Sequence, residues 1–156
     1  MPWRCWELRR RTRCDQSRDY DCLVTERVVL ISGSCTTGWF DWIHGELWLS
    51  SDRLIRRRLG FWRTLGHGLW RTVRSPAPVY AITAEQVLAI QREHRTNVVV
   101  SWSEVVEADM RRGVLADCLA LRMNDGTRHR FYWLAWDGAF GQLAPVIQKI
   151  KAVRAA

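Results

Sequence analysis

The sequence predicts a mainly β fold, a bent antiparallel barrel of about seven strands capped by a C-terminal α-helix. Three stretches carry that expectation. Gly45 to Arg58 reads GELWLSSDRLIRRR, where Leu47 and Leu49 alternate with Glu46, Trp48 and Ser50, the period-two pattern of a strand with one buried face. Asn124-Asp125-Gly126, set between two alternating runs, is the strongest hairpin signal in the chain. Phe140, Leu143, Ile147 and Ile150 recur at three- and four-residue steps, the apolar stripe of a helix that needs a sheet to cover.

Residues 1–25 carry scattered charges of both signs, and their tryptophans Trp3 and Trp6 share no clear face, so this segment is expected to be flexible or loosely packed. The domain proper is expected over residues 26–156. Val28 to Ile31 reads as a short buried strand ending at Ser32-Gly33. Ser34 to His44 links it to the central hairpin and gathers Trp39, Phe40, Trp42 and Ile43 around Asp41. Those aromatics suit a lid on the core, an inserted membrane contact, or a contact with a partner or a second copy. In the hairpin, Ser50-Ser51-Asp52 is a polar break whose side chains close turns on their own backbone, and Leu54 and Ile55 open the return strand.

Leu59 to Tyr80 is a long irregular connection with Gly60, Gly66 and Gly68, closed by Pro76 and Pro78. Thr83-Ala84-Glu85-Gln86 fits a capping box, yet Val87, Leu88 and Ile90 serve a strand equally well, and a strand is preferred here because strands follow. Val98 to Trp102 is an apolar run. Val106, Ala108 and Met110 oppose Glu107 and Asp109, and Arg112-Gly113 makes a turn. Leu119, Leu121 and Met123 line one face of the next strand, with Cys118 read as a small buried hydrophobe. The return strand sets His129, Phe131 and Trp133 against Arg128, Arg130 and Tyr132. Pro145 is best tolerated if the last helix starts just before it.

A chain of 156 residues suggests one domain with a substantial core. Its net charge of +8 is almost all arginine, since Lys149 and Lys151 are the only lysines. A guanidinium binds phosphate or carboxylate in bidentate fashion. From Arg53 to Ala84 there are seven arginines and no carboxylate. Arg56, Arg57, Arg58, Trp62, Arg63, Trp70, Arg71 and Arg74 are therefore the candidate patch for an anionic membrane surface, a lipid or a protein partner. The plainer alternative is a solvated basic face whose tryptophans complete the core. Replacing Arg56, Arg57 and Arg58 by serine is expected to weaken binding without unfolding the domain. Arginine and tryptophan also suit nucleic acid, but no helix-turn-helix, zinc finger or RNA-binding motif accompanies them. Trp39, Phe40 and Trp42 offer the other candidate surface, a homodimer contact.

The five cysteines are odd in number and none is spaced Cys-x-x-Cys, a pattern that suggests a reduced, cytoplasmic protein, peripheral at the inner face of the membrane if it meets one. No secretory layout or membrane-spanning apolar run is visible. His44, His67, His94 and His129 fall in four separate segments with no metalloprotease motif, nucleophile elbow or phosphate-binding glycine loop. The reading is a non-catalytic protein with no cofactor and no metal.

The stretch Gly45-Glu46-Leu47-Trp48-Leu49-Ser50-Ser51-Asp52-Arg53-Leu54 resembles the "G-x-L-x-L-T-x-x-R-L" hairpin of the bacterial PH-like and GRAM-like branch of the pleckstrin-homology-like superfold, with Ser50 at the usual threonine. Trp102-Ser103-Glu104-Val105-Val106 is similar to that branch's entry to a later strand. The resemblance spans roughly residues 26 to 153. It implies a non-catalytic module for lipid head groups, membrane surfaces or proteins. Lipid-binding members carry lysine and arginine between the first two strands, whereas Ser34 to His44 has neither.

Overall fold

The computed structural model describes residues 25–38, 43–60 and 78–155. Over those residues the chain is mainly β, with eight strands in two antiparallel sheets. The first sheet has five strands in the order β4-β1-β2-β3-β5: β1 (Thr25–Cys35), β2 (Gly45–Leu49), β3 (Arg53–Arg58), β4 (Val79–Thr83) and β5 (Val98–Ser101). The second has three in sequence order, β6 (Val105–Arg111), β7 (Ala116–Met123) and β8 (Arg128–Leu134). Helix α1 (Ala84–Glu93) follows β4, and helix α2 (Ala139–Ala155) ends the chain.

The central hairpin forms as read. Leu49 pairs with Leu54 and Gly45 with Arg58, and the Ser50 hydroxyl accepts the N–H groups of Asp52 and Arg53 at 3.2 and 3.0 Å, so the turn closes on its own side chain. Leu47, Leu49 and Leu54 point into the main core. Trp48 and Ile55 point the other way, where α1 lays Val87 and Ile90 on them.

Among the described residues the chain itself and a backbone bridge join the two sheets. A one-turn helix over Trp102–Glu104 carries the chain from β5 into β6, and an isolated bridge pairs Thr36 with Tyr132 through N–H···O bonds of 2.8 and 2.9 Å. Between the sheets lie Ile31, Val100, Trp102, Leu119, Leu121, Phe131 and Trp133. Leu143 and Ile147 of α2 close that core.

Several expectations are corrected. Ala84–Glu93 is a helix, not a strand: the Thr83 hydroxyl accepts Gln86 N–H and the Gln86 side chain returns to Thr83 N–H, and this reciprocal cap prevails over the β-branched content. β1 continues past Ser32-Gly33 to Cys35, because shifts in register against β2 absorb the irregular residues. A similar shift between Val105 and Glu107 makes Val105, rather than Val106, the fully buried residue opening β6. Cys118 is half-buried on the outer face of the second sheet, since the alternation that turns Leu119 inward turns Cys118 out. Helix α2 starts at Ala139, well before Pro145; Ala139 and Leu143 are buried, and that packing outweighs the hydrogen bond Pro145 cannot give.

Candidate anion-binding surface

The arginines of β3 are distributed by the pleat, and each is occupied. Arg53 meets Glu26 at 3.1 Å. Arg56 faces the main core and is 0% exposed. Its guanidinium donates to the carbonyls of Thr96 at 2.6 Å and Ile43 at 3.4 Å. Gly45 leaves room for it, because a Cβ there would stand 3.1 Å from Arg56 Nε. Arg57 lies on the α1 side and forms a two-pronged pair with Glu93 at 3.0 and 2.9 Å. The Arg58 backbone N–H donates to Asn97 Oδ1 at 2.7 Å, and its guanidinium touches the His94 ring. His94 Nδ1 in turn accepts the N–H of Thr96 at 3.1 Å.

Arg56 is thus part of the scaffold and not of a surface patch, and an Arg56, Arg57 and Arg58 triple serine variant is expected to lose stability as well as binding. Trp62, Arg63, Trp70, Arg71 and Arg74, and with them Trp39, Phe40 and Trp42, lie outside the described residues.

The same end of the molecule carries cations that the sequence reading did not single out. A cleft of about 190 Å³ is lined by Thr37, Thr96, Val98, Arg128, His129 and Arg130, with Phe131 as its floor. Thr96, which accepts the Arg56 guanidinium, ties this cleft to the end of β3. Arg128 and Arg130 are exposed on β8, and Arg92 and Arg95 are exposed at the end of α1. Among the described residues none of these four has an ion-pair partner. Arg122, directly opposite Arg128 in the register, is drawn instead to Glu107 at 2.8 Å. The period-two alternation of β8 had placed Arg128 and Arg130 together; what it lacked was the neighbour across the gap, Thr96, which is 32 positions from Arg128 in the chain.

His129 stacks on Phe131 with ring centroids 6.3 Å apart. Burial disfavours its imidazolium and lowers its pKa below the ordinary 6.5, with Asp125 offsetting part of that. The unfolded chain therefore takes up this proton at higher pH than the fold does. His129 contributes stability that is complete above its ordinary pKa and is lost as pH falls through the folded value. Thermal unfolding at about pH 7.5 and about pH 5.5 is expected to show a smaller acid loss for His129→Gln than for the wild type.

A second concavity, about 320 Å³, lies between α1 and the first sheet, lined by Val28, Trp48, Ile55, Tyr80, Ile82 and Ile90. Its polar rim is paired to itself through Arg57 and Glu93. Ser32, Ser34 and Asp137 form a hydroxyl–carboxylate cluster, but all three are buried, which suits a structural tie. Among the described residues no group of three or more His, Cys, Asp or Glu is placed to hold a metal ion, and no helix is long and apolar enough to cross a membrane. Compared with known proteins, the chain matches no family model, and no curated protein or solved structure matches it.

Proposed function

We propose that this chain is a non-catalytic binding module of the PH-like superfold that docks on an anionic membrane surface. The observation that carries the reading is the set of four exposed guanidinium groups, Arg92, Arg95, Arg128 and Arg130, none of them in an ion pair among the described residues; Glu107 and Asp109, which share a cleft with Arg128 and Arg130, pair with Arg122 and Arg111 instead. The arginine-rich connection after β3 leaves the sheet at this same end, where Leu59 N–H donates to the His44 carbonyl. Near an anionic bilayer each such arginine contributes on the order of 1 kcal/mol. Four together give salt-sensitive recruitment.

Support for the PH-like assignment is the Gly45–Leu54 hairpin, the two antiparallel sheets and the terminal helix in their core. The arginines sit on a helix end and on a strand, with no single element presenting them to a nucleic-acid groove, which favours a lipid surface over a duplex. With no lysine or arginine in Ser34–His44, the basic surface proposed for this contact is the Thr96 and β8 side.

Sedimentation with phosphatidylcholine vesicles, with and without phosphatidylserine, at low and high salt tests this. Arg128→Ser/Arg130→Ser is expected to lower anionic binding at low salt by about thirtyfold, two charges at roughly 1 kcal/mol each. Equal sedimentation with neutral and anionic vesicles would remove the reading. A gel shift with a polynucleotide that outcompetes the vesicles would replace it with nucleic-acid binding.

A further inference from the structure

We propose that Val114, Leu115 and Trp136 form an apolar tip that enters the headgroup region of a lipid bilayer; this rests on the membrane-surface reading above and names the residues that leave water. The three are 93%, 70% and 48% exposed. They sit on two turns, β6 to β7 and β8 to α2, which are brought together by a 3.0 Å bond from Ala135 N–H to the Leu115 carbonyl.

Both turns are held from inside. Gly113 N–H donates at 3.1 Å to Asp117 Oδ1, whose residue is 1% exposed. A side chain at 113 would stand 2.0 Å from the Ala116 carbonyl, so the tight path requires glycine. In the neighbouring turn Asp137, 4% exposed, accepts the Ser32 and Ser34 hydroxyls at 2.7 and 2.8 Å. Two buried aspartates therefore fix the backbone while Val114, Leu115 and Trp136 point outward. Leaving a Val or Leu side chain in water forgoes the stabilisation its burial would bring, and turns without a contact to make are ordinarily polar.

Charge selects the occupant. Arg111 and Arg112 immediately precede the tip, and Arg112 rests over the Phe140 ring at 4.3 Å. Arg111 lies opposite Cys118 in the register, and Cys118 lies opposite Tyr132, two residues beyond Arg130. Asp109 pairs with Arg111 at 2.8 Å, whereas Arg112 is exposed and has no ion-pair partner among the described residues. Aspartates 117 and 137 are inside. The result is an aliphatic point and a tryptophan with the exposed Arg112 beside them, and with Arg130 four residues back along β8 from Leu134. A standard protein interface covers roughly 800 Å² on each partner around a packed centre, far more than three protruding side chains supply. A bilayer requires only shallow insertion, a tryptophan at the interface and cations at the phosphates.

The test uses the full chain, the same two vesicle compositions and both salt conditions. Val114→Ser/Leu115→Ser, at exposed positions, is expected to keep its far-UV spectrum and thermal midpoint while losing about tenfold or more of its vesicle binding, including the part that survives high salt. Trp136→Ser adds to the loss. If the wild type prefers anionic vesicles and the double variant binds as well as it does, the tip is wrong and the membrane-surface reading stands. If the wild type binds neutral and anionic vesicles alike and the double variant loses binding, the tip stands and the anionic reading is wrong. Sedimentation with neither vesicle overturns both.

Discussion

Arg56→Leu is expected to lower the free energy of unfolding by about 3 to 5 kcal/mol, whereas Arg57→Ser lowers it by no more than about 1 kcal/mol. The two arginines are neighbours in the chain and opposites in the fold. Arg57 pairs with Glu93 where both side chains are well exposed, at 39% and 46%, so solvent screens the pair. Arg56 is buried, and its guanidinium joins the carbonyls of Ile43 and Thr96, one just before β2 and the other just before β5. Leucine fills part of the space but leaves both carbonyls without that donor, at about 1 to 3 kcal/mol each. Arg56→Lys is also expected to lose most of the effect, since a single ammonium does not reproduce a planar fork reaching two segments. Urea unfolding followed by circular dichroism measures all three variants. A loss below about 1 kcal/mol for Arg56→Leu would show that the buried guanidinium does not hold those segments together.

The contrast between Arg56 and Arg57 also marks how far the sequence was legible. Local pattern names the faces of a strand, and here it did so well: Leu47, Leu49, Leu119, Leu121, Phe131 and Trp133 all lie in the core that their alternation foretold. Both hairpins and the final helix formed where their turn residues and apolar stripe placed them. Pattern does not say what covers the opposite face. Trp48 read as the outer side of a hairpin, yet α1 lies on it and on Ile55, and that helix was misread because its cap and its β-branched residues argue for different structures. Arg56 looked like part of a basic run because burial of an arginine depends on carbonyls 13 residues before it and 40 after it. The candidate surface was hidden for the same reason. Arg92 and Arg128 are far apart in the chain, and only the meeting of the two sheets gathers the cleft around Thr96. The tip had one visible sign, the Arg112-Gly113 turn, followed by two aliphatic residues where polar ones are usual.

Asp137→Ala is expected to destabilise the fold by about 3 kcal/mol, because one carboxylate oxygen accepts two buried hydroxyls and a hydrogen bond to a charged group is worth about 1.5 to 3 kcal/mol. Ser34 ties the cluster further into the sheet, since its hydroxyl oxygen also accepts the N–H of Leu134 at 3.2 Å. Ser32→Ala/Ser34→Ala in the Asp137→Ala background should therefore cost much less than in the wild type, a coupling on the order of 1 to 3 kcal/mol in a double-mutant cycle. Additive losses would mean that the three side chains do not act together. The same variant separates rigidity from composition at the tip. Asp137→Ala leaves Val114, Leu115 and Trp136 in place but frees the turn that carries Trp136, so vesicle binding should fall along with stability. Val114→Ser/Leu115→Ser removes the apolar side chains and leaves the anchors, so binding should fall while stability holds. If Asp137→Ala binds vesicles as tightly as the wild type at a temperature where it remains folded, the buried carboxylate serves the core alone, and the tip does not need to be held in place to insert.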